Sequence, residues 1–255
     1  MRSILSRACR PVLDRVAAGR TLLAFDFDGT LAPLVDDPAL AAMSPSTARL
    51  LASVSARYPC AVISGRSQSD VGARLGPAVL TWVIGNHGAE PRGTAAVAHP
   101  RMAALGAQLA LALAPLGGVV LEDKGLSMSI HHRLAAEPLR VQRTVASVVA
   151  AYGDTFRIFA GHHVVNIVVA GAPTKGDAIL QLRAESAADT VLFVGDDVTD
   201  EDAFRSGDDW LVGVRIGHRA GSAATYFLSS QPEIDALLAE LLARRPTPLR
   251  RRELT

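Results

Sequence analysis

Short, unbroken apolar runs that pass straight into polar turns recur along this chain. Thr21-Leu22-Leu23-Ala24, Cys60-Ala61-Val62-Ile63 and Thr190-Val191-Leu192-Phe193-Val194 lack the alternation of a half-buried strand. They read as parallel strands covered on both faces. Residues 79–84, Trp210–Ile216 and Thr225–Leu228 add further strands, and Ile234–Ala243 has the apolar spacing of a closing helix. In the middle the rhythm changes. An Ala/Leu-rich helical stretch at roughly 100–114 precedes two strand-like segments, Gly118–Asp123 and Leu126–His132. A second helical stretch, Pro138–Ala151, leads into strands between Phe156 and Val169. This αββαββ-like block interrupts the β-then-α alternation. It predicts an α/β core of residues 1–98 and 173–255 with an inserted α+β cap domain over 99–172, covering a site on the core. Residues 1–20 carry Arg2, Arg7, Arg10, Arg15 and Arg20 among apolar positions and read as an amphipathic lead-in helix. A signal peptide would need a longer uncharged middle. Arg244-Arg245 and Arg250-Arg251-Arg252 read as a solvated, mobile end.

The polar groups that follow the strands carry the chemistry. Asp26 and Asp28, two apart at the end of a strand, emerge on the same side before Gly29 turns the chain. Adjacent carboxylates repel, so the pair is costly unless a cation or proton holds it. Ser64-Gly65-Arg66 ends a second strand and Gly195-Asp196-Asp197-Val198-Thr199-Asp200 a third, while Lys175 sits in a turn ahead of a helical pattern. Open parallel sheets bind ligands beyond the carboxyl ends of their strands. Acids for a divalent cation, with a hydroxyl, an Arg and a Lys, suit a phosphoryl group. Asp200, Glu201 and Asp202 also read as acids opening a helix, and that is the preferred reading for Glu201 and Asp202.

Asp26-Phe27-Asp28-Gly29-Thr30, Ser64, Lys175 and Gly195-Asp196-Asp197-Val198-Thr199-Asp200 resemble, in order, the motifs of haloacid-dehalogenase (HAD) superfamily phosphohydrolases. The resemblance implies a Rossmann-like core with a C2B-like cap. It implies Asp26 as nucleophile, Asp28 as general acid/base, and Mg²⁺ held by Asp26, the Asp28 backbone carbonyl and Asp196. Ser64, Gly65 and Lys175 would bind the transferring phosphoryl oxygens, and Asp197 and Asp200 would orient the metal, its water and Lys175. Arg66 would brace the site or contact the substrate.

Three further segments resemble the trehalose-6-phosphate phosphatase family. Gly85-Asn86-His87-Gly88-Ala89-Glu90 is similar to its GxHGxE signature, and Glu122-Asp123-Lys124 and His131-His132-Arg133 to its EDK and HYR segments. The resemblance implies trehalose 6-phosphate as substrate, with His87, Glu90, Glu122, Lys124, Arg133 and Asn166 as sugar-reading residues. His87 reads equally well as a hydrogen-bonded structural histidine. One segment departs from the family: where it has GKxxxExRP, this chain has Gly161-His162-His163-Val164-Val165-Asn166-Ile167-Val168-Val169. Asn166 still exchanges hydrogen bonds but carries no charge, and Val168 does neither. The alternatives are therefore a phosphatase for a related or pseudo-disaccharide phosphate, an enzyme like sucrose-phosphate phosphatase or phosphomannomutase, or a non-catalytic sugar-phosphate sensor.

Composition narrows this little. The 255 residues allow one large domain or two small ones, and the net charge of +1 gives no reason to expect a nucleic-acid partner. Cys9 and Cys60 make neither a disulfide framework nor a metal cluster. No apolar run is long enough to span a membrane; the expectation is a cytoplasmic enzyme for a small phosphorylated disaccharide, its oligomeric state left open by the sequence with a monomer preferred.

Overall fold

The computed structural model describes residues 1–90, 100–161 and 163–245. The chain divides into two compact units, Met1–Gly88 with Pro173–Thr255, and Ala89–Ala172. The first boundary expected near 98 falls among residues 91–99, outside the described residues.

In chain order the first unit begins with β1 (Arg2–Ser3), α1 (Arg10–Ala18), β2 (Thr21–Phe25), α2 (Pro45–Ser55), β3 (Cys60–Ile63), α3 (Gln68–Arg74) and β4 (Trp82–Ile84). The second unit holds α4 (Pro100–Leu113), β5 (Val120–Asp123), β6 (Ser127–His131), α5 (Pro138–Ala150), β7 (Phe156–Gly161) and β8 (Val164–Val169). The first unit resumes with α6 (Lys175–Ser186), β9 (Thr190–Gly195), α7 (Asp200–Arg205), β10 (Leu211–Ile216), β11 (Tyr226–Leu228) and α8 (Glu233–Arg244). Among the described residues no helix is long and apolar enough to cross a membrane.

The first unit is a wholly parallel sheet in the order β1-β11-β10-β9-β2-β3-β4. Its continuous apolar strands exist because both faces are covered. Leu23, Phe25, Val62, Leu192 and Val194 pack with α1, α2 and α8 through Leu13, Val16, Leu51, Val54, Leu237 and Leu241. Their neighbours Leu22, Ala24, Ala61, Ile63, Val191 and Phe193 point the other way, onto Ile179 and Leu182 of α6 and Phe204 of α7. Phe25 is fully buried, and its truncation to Ala would cost ~3–5 kcal/mol.

Two expectations are corrected at the termini. The first residues are not helical: Arg2–Ser3 adds an edge strand beside Tyr226–Phe227, and the helix starts only at Arg10. Arg244 and Arg245 are not a loose tail. Arg245 donates to the carbonyls of Gly19 and Arg57 and lies 4.5 Å over the Tyr58 ring, while Arg244 pairs with Asp14 and Glu240. The residues from 246 onward lie outside the described ones.

The second unit is an antiparallel sheet, β5-β6-β8-β7, with two helices on one face. Met128, Ile130, Val165 and Ile167 alternate onto Leu105 and Leu109 of α4 and Val141 and Val145 of α5. The remaining strand positions carry the polar set Glu122, Ser129 and Asn166, which the register aligns across three strands.

Candidate active site

Asp26, Asp196, Asp200 and Lys175 gather where β2 and β9 end, with Ser64 at the end of neighbouring β3. The β2–β9 ladder runs to Phe25 opposite Val194, and Asp26 N–H donates to the Val194 carbonyl at 2.9 Å. That bond sets Asp26 beside the acidic loop after β9. Gly29 makes the turn at φ +77°, a region L-residues avoid. A Cβ there would lie 2.2 Å from an Asp196 carboxylate oxygen, so the absent side chain also makes room for that acid. Thr30 Oγ1 donates to Asp196 Oδ1 at 3.3 Å.

Lys175 opens α6, whose start is fixed by a capping box between Thr174 and Asp177. Its ammonium, almost wholly buried, lies 2.9 Å from Asp26 Oδ1 and 2.8 Å from Asp200 Oδ1. Burial alone would lower its pKa, but Asp200 and Asp26 outweigh that and hold it above the ordinary lysine value. Asp200, fully excluded from solvent, has its other oxygen accepting the N–H groups of Asp196 and Asp197, both at 2.8 Å. It therefore serves the site and does more than open a helix.

Carboxylate oxygens of Asp26, Asp196 and Asp200 lie within 4.8 Å of one another. Burial first, opposed by Lys175 and reinforced by Asp200 and Asp28, pushes the Asp26 carboxyl up to about 8. Burial and the charges of Asp26 and Asp200 raise Asp196 well above its usual range, and Asp197 is raised mainly by burial. Such a cluster is uncomfortable as bare anions and fits a divalent cation. Asp200 is already committed to Lys175 and two amides, which leaves Asp26 and Asp196 as the carboxylates able to ligate.

Asp28 is held by Arg66 through two bonds of 2.7 Å, Nε to Oδ2 and Nη2 to Oδ1. The same guanidinium donates to Asp70 at 2.7 Å and to the Pro38 carbonyl at 2.8 Å. Arg66 thus braces the acid it neighbours. Asp70, in the first turn of α3, gave no sequence signal beyond its spacing from Arg66. Ser64 is fully buried, and its Oγ accepts the Arg66 N–H at 3.1 Å. His87, at φ +60°, lays its ring on Gly65, where a Cβ would meet it at 2.4 Å. Its N–H donates to the Ser64 carbonyl at 2.9 Å. Gly65 is thus required by the packing of the His87 ring.

Sequence reasoning missed Arg215 and underrated Glu201. Both are buried, and Arg215 on β10 donates to Glu201 Oε1 and the Asp197 carbonyl, each at 3.1 Å, and to the Asp196 carbonyl. Glu201 Oε2 accepts the Ala223 N–H at 2.8 Å. The signal was weak: a charged residue inside the apolar pattern of β10.

In the second unit three of the expected sugar-reading residues, Glu122, Lys124 and Asn166, join a polar network. Lys124 Nζ donates to Ser129 Oγ at 2.8 Å, Ser129 Oγ donates to Asn166 Oδ1 at 2.7 Å, and Glu122 lies 2.9 Å from His131 Nε2 and 3.7 Å from Lys124. Ser129 was not anticipated; its place opposite both Glu122 and Asn166 is a matter of register. Arg133 sits in the turn after β6, and Glu90 near the start of the unit. Val168 is a buried strand residue, and His162 lies outside the described residues.

Residues 24–231 match the family model described as Trehalose-phosphatase. A trehalose-phosphate phosphatase of Mycobacterium bovis is 34% identical over 259 aligned positions, covering 93% of this chain and 65% of that protein. The chain thus spans just under two thirds of that relative's length. Among solved structures, the C-terminal domain of Candida albicans trehalose-6-phosphate phosphatase superposes with a TM-score of 0.77 at 22% identity, covering 93% of this chain and 96% of that one. A HAD subclass IIB sugar phosphatase superposes at 0.57 with 15% identity, covering 86% and 98%. These likenesses show the HAD fold.

Proposed function

The chain belongs to the trehalose-phosphatase family, and from that membership we propose that it is a Mg²⁺-dependent phosphomonoesterase that hydrolyses trehalose 6-phosphate. The carrying observation is the cluster of Asp26, Asp196 and Lys175 at the carboxyl ends of β2 and β9, with Asp28 two residues along. A sensor needs no nucleophile, and a merely structural chain has no use for so costly a set of buried acids.

In this reading Asp26 attacks phosphorus and carries the phosphoryl group as an acyl phosphate, dividing one slow displacement into two. Asp28 gives its proton to the departing sugar oxygen and then takes one from the water that attacks the intermediate. Arg66 aims that carboxyl, and one of its two bonds to Asp28 must open whenever Asp28 carries the proton. Lys175, kept charged by Asp200, and the Ser64 hydroxyl bind oxygens of the transferring group, where charge is spread in a loose transition state. Asp26, Asp196 and the Asp28 carbonyl would hold Mg²⁺, which when bound screens the anionic nucleophile from an anionic substrate.

Specificity is assigned to the antiparallel unit, the cap of this reading. Glu122, Lys124 and Asn166, held in one polar network, offer donors and acceptors to sugar hydroxyls, and Glu90 and Arg133 of the same unit join them in this reading. A mismatched hydroxyl there leaves buried groups unpaired at ~1–3 kcal/mol each. The neutral Asn166 and the apolar Val168 favour a second reading, in which the substrate is a related disaccharide phosphate.

Acid-quenched single turnovers of trehalose 6-phosphate test the chemistry. A phosphoryl adduct should appear on the peptide containing Asp26 and be absent from Asp26→Asn. Turnover with no adduct, or with the adduct elsewhere, would overturn the assignment of the nucleophile.

A further inference from the structure

We propose that Arg215, backed by Glu201, is a positioning residue that holds the Asp196 carboxylate in place for its cation. The inference rests on the reading of Asp196 as a ligand. A carboxylate ligand is only as well placed as the backbone that carries it. The β9–β10 ladder ends at the pair Arg215 and Gly195, so Asp196 and Asp197 lie beyond the last strand pairing that could fix them.

Side chains take over on both edges of the loop. On the amide edge, the N–H groups of Asp196 and Asp197 share Asp200 Oδ2. On the carbonyl edge, the Arg215 guanidinium donates Nη2 to the Asp196 carbonyl and Nη1 to that of Asp197 at 3.1 Å. The planar fork spans two successive carbonyls, which a lysine ammonium on a single flexible stem does not reproduce. Glu201 fixes the fork from behind, one oxygen on Arg215 and the other on the Ala223 N–H. Stability alone is a weak reason for this buried pair, because apolar residues of similar volume often replace such pairs without loss. Its position on the loop carrying two of the site's acids gives it a use.

The test measures cation binding on the whole chain, apart from turnover. Terbium luminescence and its displacement by Mg²⁺ would be compared in wild type, Arg215→Lys and Arg215→Met/Glu201→Gln, each checked for cooperative unfolding. Arg215→Lys keeps a partner for Glu201; the double variant leaves no buried charge while retaining an acceptor for Ala223. Both should bind terbium and Mg²⁺ about tenfold or more weakly, the usual scale for residues that orient a ligand. Folded variants within about twofold of wild type would overturn the proposal, and Arg215→Lys alone decides it if the double variant does not fold. Wild type that binds no terbium, or binds it equally well with Asp26→Asn and Asp196→Asn, would overturn the cation site itself and this inference with it.

Discussion

Asp200→Asn should destabilise the protein by ~2–4 kcal/mol while leaving the shape of the site almost unchanged. Asp200 has no solvent contact and makes three hydrogen bonds of 2.8 Å, two from the Asp196 and Asp197 amides and one from Lys175. Asparagine keeps one carbonyl oxygen for the two amides, but its NH₂ then points at the Lys175 ammonium. A charge-assisted bond, ~1.5–3 kcal/mol, is lost. The buried cation is left with Asp26 alone, and breaking a buried pair from one side costs ~3–5 kcal/mol when nothing replaces the partner. The retained amide contacts put the net at the lower end. For a chain of this size that is a fall in Tm of roughly 5–15 °C, and urea unfolding in chelator-treated buffer would measure it. Adding Lys175→Met removes the stranded cation, so the double variant should recover at least ~1.5 kcal/mol against the sum of the singles. A loss under ~1 kcal/mol, or strict additivity, would refute the argument that Asp200 holds Lys175 charged in the site.

Other consequences follow from the same geometry. Asp26→Asn should lower phosphate release by at least ~10³-fold, while equilibrium dialysis still detects bound substrate. Gly29→Ala should cost ~1–2 kcal/mol for the left-handed backbone alone, and by displacing Asp196 should raise the Mg²⁺ concentration needed for half-maximal rate; an unchanged Mg²⁺ titration would count against the close approach. His132 is buried, and burial first, opposed by a hydrogen bond to its own backbone and reinforced by the neighbouring His163 and His131, lowers its pKa below 6.5. The unfolded chain therefore takes up the proton first, so His132's contribution is complete above pH ~6.5 and is lost as pH falls through the folded value. Urea midpoints should drop from pH 7.5 to pH 5, and less so in His132→Phe.

The β-then-α alternation and the strand-end motifs were legible because they are local: an apolar run that stops at Asp26, Ser64 or Gly195 announces both the strand and its functional edge. What sequence could not show depends on register and on distant partners. Arg215 becomes part of the acidic loop only because β10 pairs with β9, and Ser129 joins Lys124 and Asn166 only because three antiparallel strands align. Glu201 looked like an ordinary helix-opening acid, as its position permits; its buried partner lies on β10, after the helix ends. The N-terminal arginines suggested one long helix, but pairing with Tyr226–Phe227 gave Arg2–Ser3 a better use of its backbone groups.

The most direct test is kcat/KM for phosphate release with Mg²⁺ from trehalose 6-phosphate, sucrose 6-phosphate and glucose 6-phosphate, with Asp26→Asn as the blank. The account predicts a preference of ~100-fold or more for trehalose 6-phosphate over glucose 6-phosphate, about 2.7 kcal/mol of transition-state discrimination. Equal rates on the two, or no release above the blank from any of them, would contradict it.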